Sequence, residues 1–247
     1  MAYPAFIEDG GLTFTSAKTI PALFPDTVNA NDFLLLFYSK DIVINADIDV
    51  HPSGFTFITN TSTGSNSFAT VWYYKRAIGN EAGPGNSVSL TWDEVPDSVT
   101  SAIMYRFNKV ATTSTPPIDF AWQSSSGAST TTSANIDGGT TVGTERLLVN
   151  VIMVMNNTTV STASGWTTEV DLPESITTVL QTQQVPTATT ISDQTSTLGT
   201  ASYYIASTMA LILGPGWPHN FLGVENASIN EISEVSIADI EAVNTIT

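Results

Sequence analysis

Apolar and polar residues alternate at every second position wherever a pattern is visible, as in Phe55-Thr56-Phe57-Ile58, Val71-Trp72-Tyr73-Tyr74-Lys75 and Val88-Ser89-Leu90-Thr91-Trp92. That period places successive side chains on opposite faces of an extended chain and predicts half-buried β-strands. Three apolar runs interrupt the alternation, at 33–38, 147–155 and 209–213. All are shorter than the ~20 residues that cross a bilayer as a helix, so they read as buried strands and no membrane span is expected. Turn-rich stretches at 60–67, 79–86, 112–117, 124–133 and 137–143 separate the strands, a spacing that suits antiparallel sandwiches.

The order of segments repeats. Leu34-Leu35-Leu36-Phe37, Pro52-Ser53-Gly54-Phe55 and Ala69-Thr70-Val71-Trp72-Tyr73-Tyr74-Lys75 are followed, in the same order and at similar spacing, by Leu147-Leu148-Val149-Asn150, Ala163-Ser164-Gly165-Trp166 and Thr177-Thr178-Val179-Leu180-Gln181. A further strand closes each half, over 100–107 and 202–213. Four strands alone bury too little, so the expected fold is all-β, an antiparallel, jelly-roll-like β-sandwich of eight strands made of two pseudo-repeated halves. The expected boundaries are an extended N-terminal arm (1–27), the sandwich (28–216, halves about 28–123 and 140–214) and a C-terminal tail (217–247). Within the tail, Ser228-Ile229-Asn230-Glu231-Ile232-Ser233-Glu234-Val235 is echoed by Ser236-Ile237-Ala238-Asp239-Ile240-Glu241-Ala242-Val243. Ile229, Ile232, Val235, Ile237, Ile240, Val243 and Ile246 draw no single helical stripe, and one copy of so short a segment cannot bury them. Packing on another chain or a larger particle is expected, with a fold back onto its own sandwich as the alternative.

Composition adjusts this picture in three places. With 247 residues and 42% apolar content, the chain is long enough for a substantial core. Seven Lys and Arg against 23 Asp and Glu give a net charge of −16, which repels phosphate backbones and argues against nucleic-acid binding. There is no cysteine, hence no disulfide, thiol nucleophile or thiolate metal site. The first residues lack a basic segment followed by an apolar run, so no secretory signal is expected.

Candidate chemistry is sparse. In a strand, Asp47, Asp49 and His51 would share one face about 7 Å apart, a weak candidate for a divalent cation or an acid–base pair, against the alternative of a solvated strand. Glu8-Asp9-Gly10-Gly11 and Asp137-Gly138-Gly139 have the chemistry of turns. Trp72 and Tyr74 share a strand face, which is either core or, if exposed, a platform for stacking on sugar rings. Trp166 and Trp217, beside glycines, are expected to plug the sandwich ends. Motifs of the G-x-S-x-G, P-loop and H-E-x-x-H types are absent and the histidines are His51 and His219. No enzymatic activity, cofactor or established metal site is expected.

The ordered segments Asp32-Phe33-Leu34-Leu35-Leu36-Phe37, Pro52-Ser53-Gly54-Phe55, Val71-Trp72-Tyr73-Tyr74-Lys75-Arg76, Met104-Tyr105-Arg106 and Pro116-Pro117-Ile118-Asp119, then 147–155 and Ser164-Gly165-Trp166, resemble the β-sandwich virion proteins of tailed bacteriophages and prophages. That family runs "DLLLAF", "PxGW", "VYYK", "Y-R-G" and "NPID"; here Phe55 stands where Trp is usual, and Gln181-Thr182-Gln183-Gln184 replaces a second aromatic strand. The tail resembles the "I-x-x-I-N-G-V" tails of phage virion proteins, with Asn244-Thr245 in place of Asn-Gly. The resemblance implies a capsid decoration or cement protein in the virion, assembled in the host cytoplasm, self-associating as a homotrimer and bound to the major capsid protein or other virion proteins. Under it the arm, through Phe6, Ile7, Ile20, Leu23 and Phe24, joins the tail in docking. The alternative it leaves is a tail or head fibre or adhesin binding a host-surface glycan through Trp72 and Tyr74.

Overall fold

The computed structural model describes residues 3–41, 47–63, 68–81, 85–96, 98–111, 117–119, 129–214 and the backbone of 123–126. The first half contributes β1 (Ala5–Asp9), β2 (Thr13–Thr15), β3 (Thr19–Leu23), β4 (Phe33–Asp41), β5 (Ile48–Val50), β6 (Thr56–Ser62), β7 (Phe68–Arg76), β8 (Ser87–Trp92) and β9 (Thr100–Asn108). The second contributes β10 (Gln123–Ser126), β11 (Thr131–Ile136), β12 (Gly139–Thr140), β13 (Arg146–Val154), β14 (Thr167–Leu172), β15 (Thr177–Val185), β16 (Thr190–Ile191), β17 (Gln194–Ser202) and β18 (Tyr204–Ile212). The fold is all-β, and among the described residues every pairing is antiparallel. No helix among the described residues is long and apolar enough to cross a membrane.

Two large sheets carry the architecture, in the orders β1-β9-β4-β7-β6 and β10-β18-β13-β15-β14, with β2 continuing the β9 edge. The orders are equivalent strand for strand. Each sheet is covered on its outer face by a smaller one, β3-β8-β5 on the first and β11-β17 on the second, and their inner faces pack on each other. Phe33, Leu35, Phe37 and Trp72 thus meet Leu147, Val149, Val151 and Leu180 in the central core. Leu34, Leu36, Tyr38 and Tyr73 point the other way, onto Ile20, Leu90 and Trp92.

The chain therefore stacks four layers rather than the two of a single eight-stranded sandwich. The unbroken apolar runs explain why: a strand in an inner layer is buried on both faces and needs no polar alternate. In β4 every residue from Phe33 to Lys40 is buried, and in β13 every residue from Leu147 to Val154. β6 approaches β10 and β7 approaches β18 where the inner faces of the two halves meet.

Equivalence extends to local geometry. Phe55 N–H donates to Pro52 O (3.3 Å) and Trp166 N–H to Ala163 O (3.1 Å), closing two turns whose third residues, Gly54 and Gly165, have φ of 76° and 81°. L side chains disfavour that region, and glycine adopts it freely. A bulge follows at the same place in both halves, between Phe57 and Thr59 and between Thr168 and Val170. Asn31 and Glu145, each two residues before the first equivalent core position (Phe33, Leu147), are both left-handed, with φ of 69° and 56°.

The expected N-terminal arm is, from Ala5 to Leu23, part of the fold. β1 and β2 pair with β9 and β3 pairs with β8. Phe6 packs edge-on against Tyr105 and Phe107 (6.3 and 5.9 Å), Ile20 is fully buried, and the partly buried Phe24 meets Phe55 at 6.3 Å. Leu23 is half-buried; Ile7, the extra residue of a bulge, is 40% exposed. The repeat is accordingly longer than the expected halves, taking in β1–β3 and β10–β12. Residues 215–247, with Ile229, Ile232, Val235, Ile237, Ile240, Val243, Ile246, Trp217 and His219, lie outside the described residues.

Candidate functional site

The acidic strand of the sequence does not form a ligand set. β5 spans only Ile48–Val50, its pairing with β8 is irregular between those two residues, and this breaks the alternation that would align the side chains. Asp47 and Asp49 are exposed, whereas His51 turns to Tyr73. Among the described residues, no three His, Asp or Glu side chains converge as a metal site. Both acidic turns are structural: Gly11 N–H donates to Asp9 Oδ1 and Gly138 N–H to Asp193 Oδ1, each at 2.8 Å. Burial, then the neighbouring Asp193 charge, raises the Asp137 carboxyl above its usual range.

Trp72 belongs to the central core, and Tyr74 is partly buried against it. Trp72 is 2% exposed with its ring 4.2 Å from Phe37, and Tyr74 stacks on Phe33 at 5.7 Å. Trp166 is buried in the outer core of the second half.

The buried charges form clamps. Arg106 Nε donates to Asp32 Oδ2 (2.6 Å) and Nη1 to Glu8 Oε1 (2.7 Å) and to Thr27 Oγ1, tying the edge strand β1 to the entry of β4. Burial alone would raise the Glu8 carboxyl, but hydrogen bonds from Thr27 and Arg106 outweigh it and hold it below its usual range. In the second half the cation has changed strand. Arg146, equivalent to Asp32, donates from Nε to Asp119 Oδ2 at 2.7 Å, and Asp119 lies beside Ala210, the equivalent of Arg106. A third clamp closes the loop after β7. Glu81 accepts from the N–H groups of Ile78, Gly79 and Asn80 and pairs with Lys75 at 2.9 Å; these bonds overcome its burial and lower its pKa.

An aromatic corner sits where the edge strands β5 and β6 meet. Tyr73, whose ring is fully buried and whose phenol burial pushes far above its usual pKa, shares a 2.7 Å hydrogen bond with His51 Nδ1. Phe57, directly across from Tyr73 in the β6–β7 pairing, stands edge-on to both rings, 5.7 Å from Tyr73 and 5.9 Å from His51. Phe57 is 45% exposed and His51 is exposed.

The second half holds the equivalent corner, with Thr162, Thr168 and Gln181 in place of His51, Phe57 and Tyr73. There the two threonine hydroxyls share a 2.7 Å hydrogen bond. Gln181 accepts from Ala163 N–H (3.2 Å) and donates to Ser161 O (3.1 Å). Both corners tie the segment before the glycine turn to the sheet; small polar residues suffice in one of them. The alternation of 55–58 predicts a strand but leaves open which aromatic faces solvent, and for that reason Phe57 was not legible as a site residue. Comparison of the chain with protein-family models, curated proteins and solved structures finds no match in any of the three.

Proposed function

We propose that this chain is a non-enzymatic structural protein of a tailed-phage virion, a decoration or cement protein whose double sandwich stands on the outer capsid surface and whose apolar repeat tail attaches it. The observation that carries the proposal is the ordered set of phage-like segments, because their charged members act together. The aspartate of the "DLLLAF"-like segment, Asp32, pairs with Arg106 of the "Y-R"-like one, and Asp119 of the "NPID"-like segment pairs with Arg146. Asp32 and Arg106 bring two of these segments together in one buried ion pair, where a lone member would leave an uncompensated charge, and the partner of Asp119 stands one residue before the 147–155 segment. The tail supports attachment through its repeated Ile and Val, where many weak copies on a symmetric lattice gain avidity.

The test is quantitative electrophoresis of purified particles from the producing strain, comparing the full chain with a deletion of 224–247. Hundreds of copies per particle, lost on deletion while the isolated protein keeps its far-UV spectrum and melting transition, is the expected result. About a dozen copies would replace the decoration reading with a fibre, and absence from particles would refute both.

A further inference from the structure

We propose that the aromatic corner formed by Phe57, His51 and Tyr73 is a binding site for a neutral saccharide. The second half serves as an internal control. The same backbone corner, with the same turn and the same bulge, is built there from Thr162, Thr168 and Gln181 and satisfies itself by hydrogen bonds. The exposed position of this corner therefore needs no aromatic, and Phe57, left 45% exposed, costs hydration that Thr168 avoids, while Tyr73 serves the core as well. Single exposed apolar side chains are ordinary on protein surfaces. This one is held: Tyr73 and His51 both meet the Phe57 ring edge-on, so its orientation is set before any ligand arrives and little side-chain freedom is lost on binding.

The chemistry around the ring selects the ligand class. An aromatic face takes up the C–H face of a sugar, while the hydroxyls at the sugar's rim need polar partners. Exposed Asp49 and Ser53 flank the corner in the chain, and with Nδ1 engaged by Tyr73, His51 keeps Nε2 for a ligand. An apolar peptide would leave these groups unpaired. The chain's net charge of −16 and Asp49 itself disfavour sialylated, uronic or phosphorylated glycans, leaving neutral hexoses, deoxyhexoses and N-acetylhexosamines. The inference is independent of the virion proposal: the corner binds sugar whether the particle carries many copies or few.

The experiment applies the full chain to an array of neutral oligosaccharides built from those units, followed by calorimetric titration of the strongest binder. Phe57→Thr installs the residue of the other half and is expected to fold with unchanged melting, whereas His51→Thr, which takes the partner from the buried Tyr73 hydroxyl, is expected to fold with a lower melting temperature. Phe57→Thr should weaken binding about tenfold or more, Phe57→Trp should retain it, and Val142→Ser, on an exposed residue of the second half, should leave it unchanged. Three outcomes overturn the proposal: no binder at millimolar saccharide, binding that survives Phe57→Thr, or a self-association of the chain that Phe57→Thr abolishes, which would make the ring a contact between copies.

Discussion

Replacing Arg106 with Met tests the largest of the buried clamps, because it keeps most of the side-chain volume and removes the charge. The Arg106 and Asp32 side chains are 6% and 7% exposed and that of Glu8 is 28% exposed. After the substitution, two carboxylates converge on a space without their cation. Breaking a buried pair by removing one partner costs about 3–5 kcal/mol, and water reaching Glu8 places this case near the lower figure. For a chain of this size that corresponds to a fall in Tm of roughly 6–12 °C. Urea unfolding at pH 7, followed by tryptophan fluorescence, measures it. The gap between wild type and Arg106→Met should narrow on acidification, since Glu8 in the variant has lost the cation that helps to hold its carboxyl below its usual range and takes up a proton more readily. The paired variant Asp32→Arg with Arg106→Ala reproduces the cation placement of the second half. It should recover part of the loss, but not the bond that Asp32 accepts from Asn29 N–H. A loss below about 1 kcal/mol, well under the range for a broken buried pair, or a gap that stays constant as the pH falls, would refute the reasoning.

Glu145 occupies a left-handed conformation (φ 56°) that its equivalent Asn31 tolerates better. Glu145→Asn should therefore stabilise by about 0.5–1 kcal/mol, read as a higher urea midpoint; a lower midpoint would show that the Glu145 side chain does more than strain its backbone. Acid should act in two stages. Asp137 has a raised carboxyl pKa in the fold, so protonation through that raised value relieves it, and stability rises slightly on leaving neutral pH. Glu8 and Glu81 are held below their usual range. Their contribution is complete above the unfolded carboxylate value and is lost as the pH falls through the lower folded values. Urea midpoints between pH 7 and 3 should pass through a maximum, and Asp137→Asn should flatten the early rise; a steady fall from pH 7 would contradict this assignment.

Much of the architecture was legible locally. Period-two alternation marks the strands β6, β7 and β8, and glycine in the third place of Pro52-Ser53-Gly54-Phe55 and Ala163-Ser164-Gly165-Trp166 marks two turns that need positive φ. The repeat is visible because equivalent strands meet equivalent burial demands. Even the four-layer stack left a trace, since Phe33 to Tyr38 and Leu147 to Val154 carry almost no polar alternates, as strands covered on both faces require.

What neighbouring residues could not reveal is what covers those faces. The extended look of Ile20-Pro21-Ala22-Leu23 is that of a docking arm until its partner, β8, is known some 70 positions later in the chain; pairing so distant leaves no local mark beyond the strand itself. Charge pairing has the same character. The sequence contains Glu8, Asp32 and Arg106, but only folding brings them within 2.7 Å, and the clamp of the second half has its arginine on another strand, with Ala210 at the place of Arg106. The aromatic corner depends on still more: a bulge after Phe57 and the pairing of β6 with β7 decide that Trp72 is core and Phe57 is surface. Hydrophobic periodicity determines that a residue lies on one face or the other. Which face meets water is a property of the layers stacked against it.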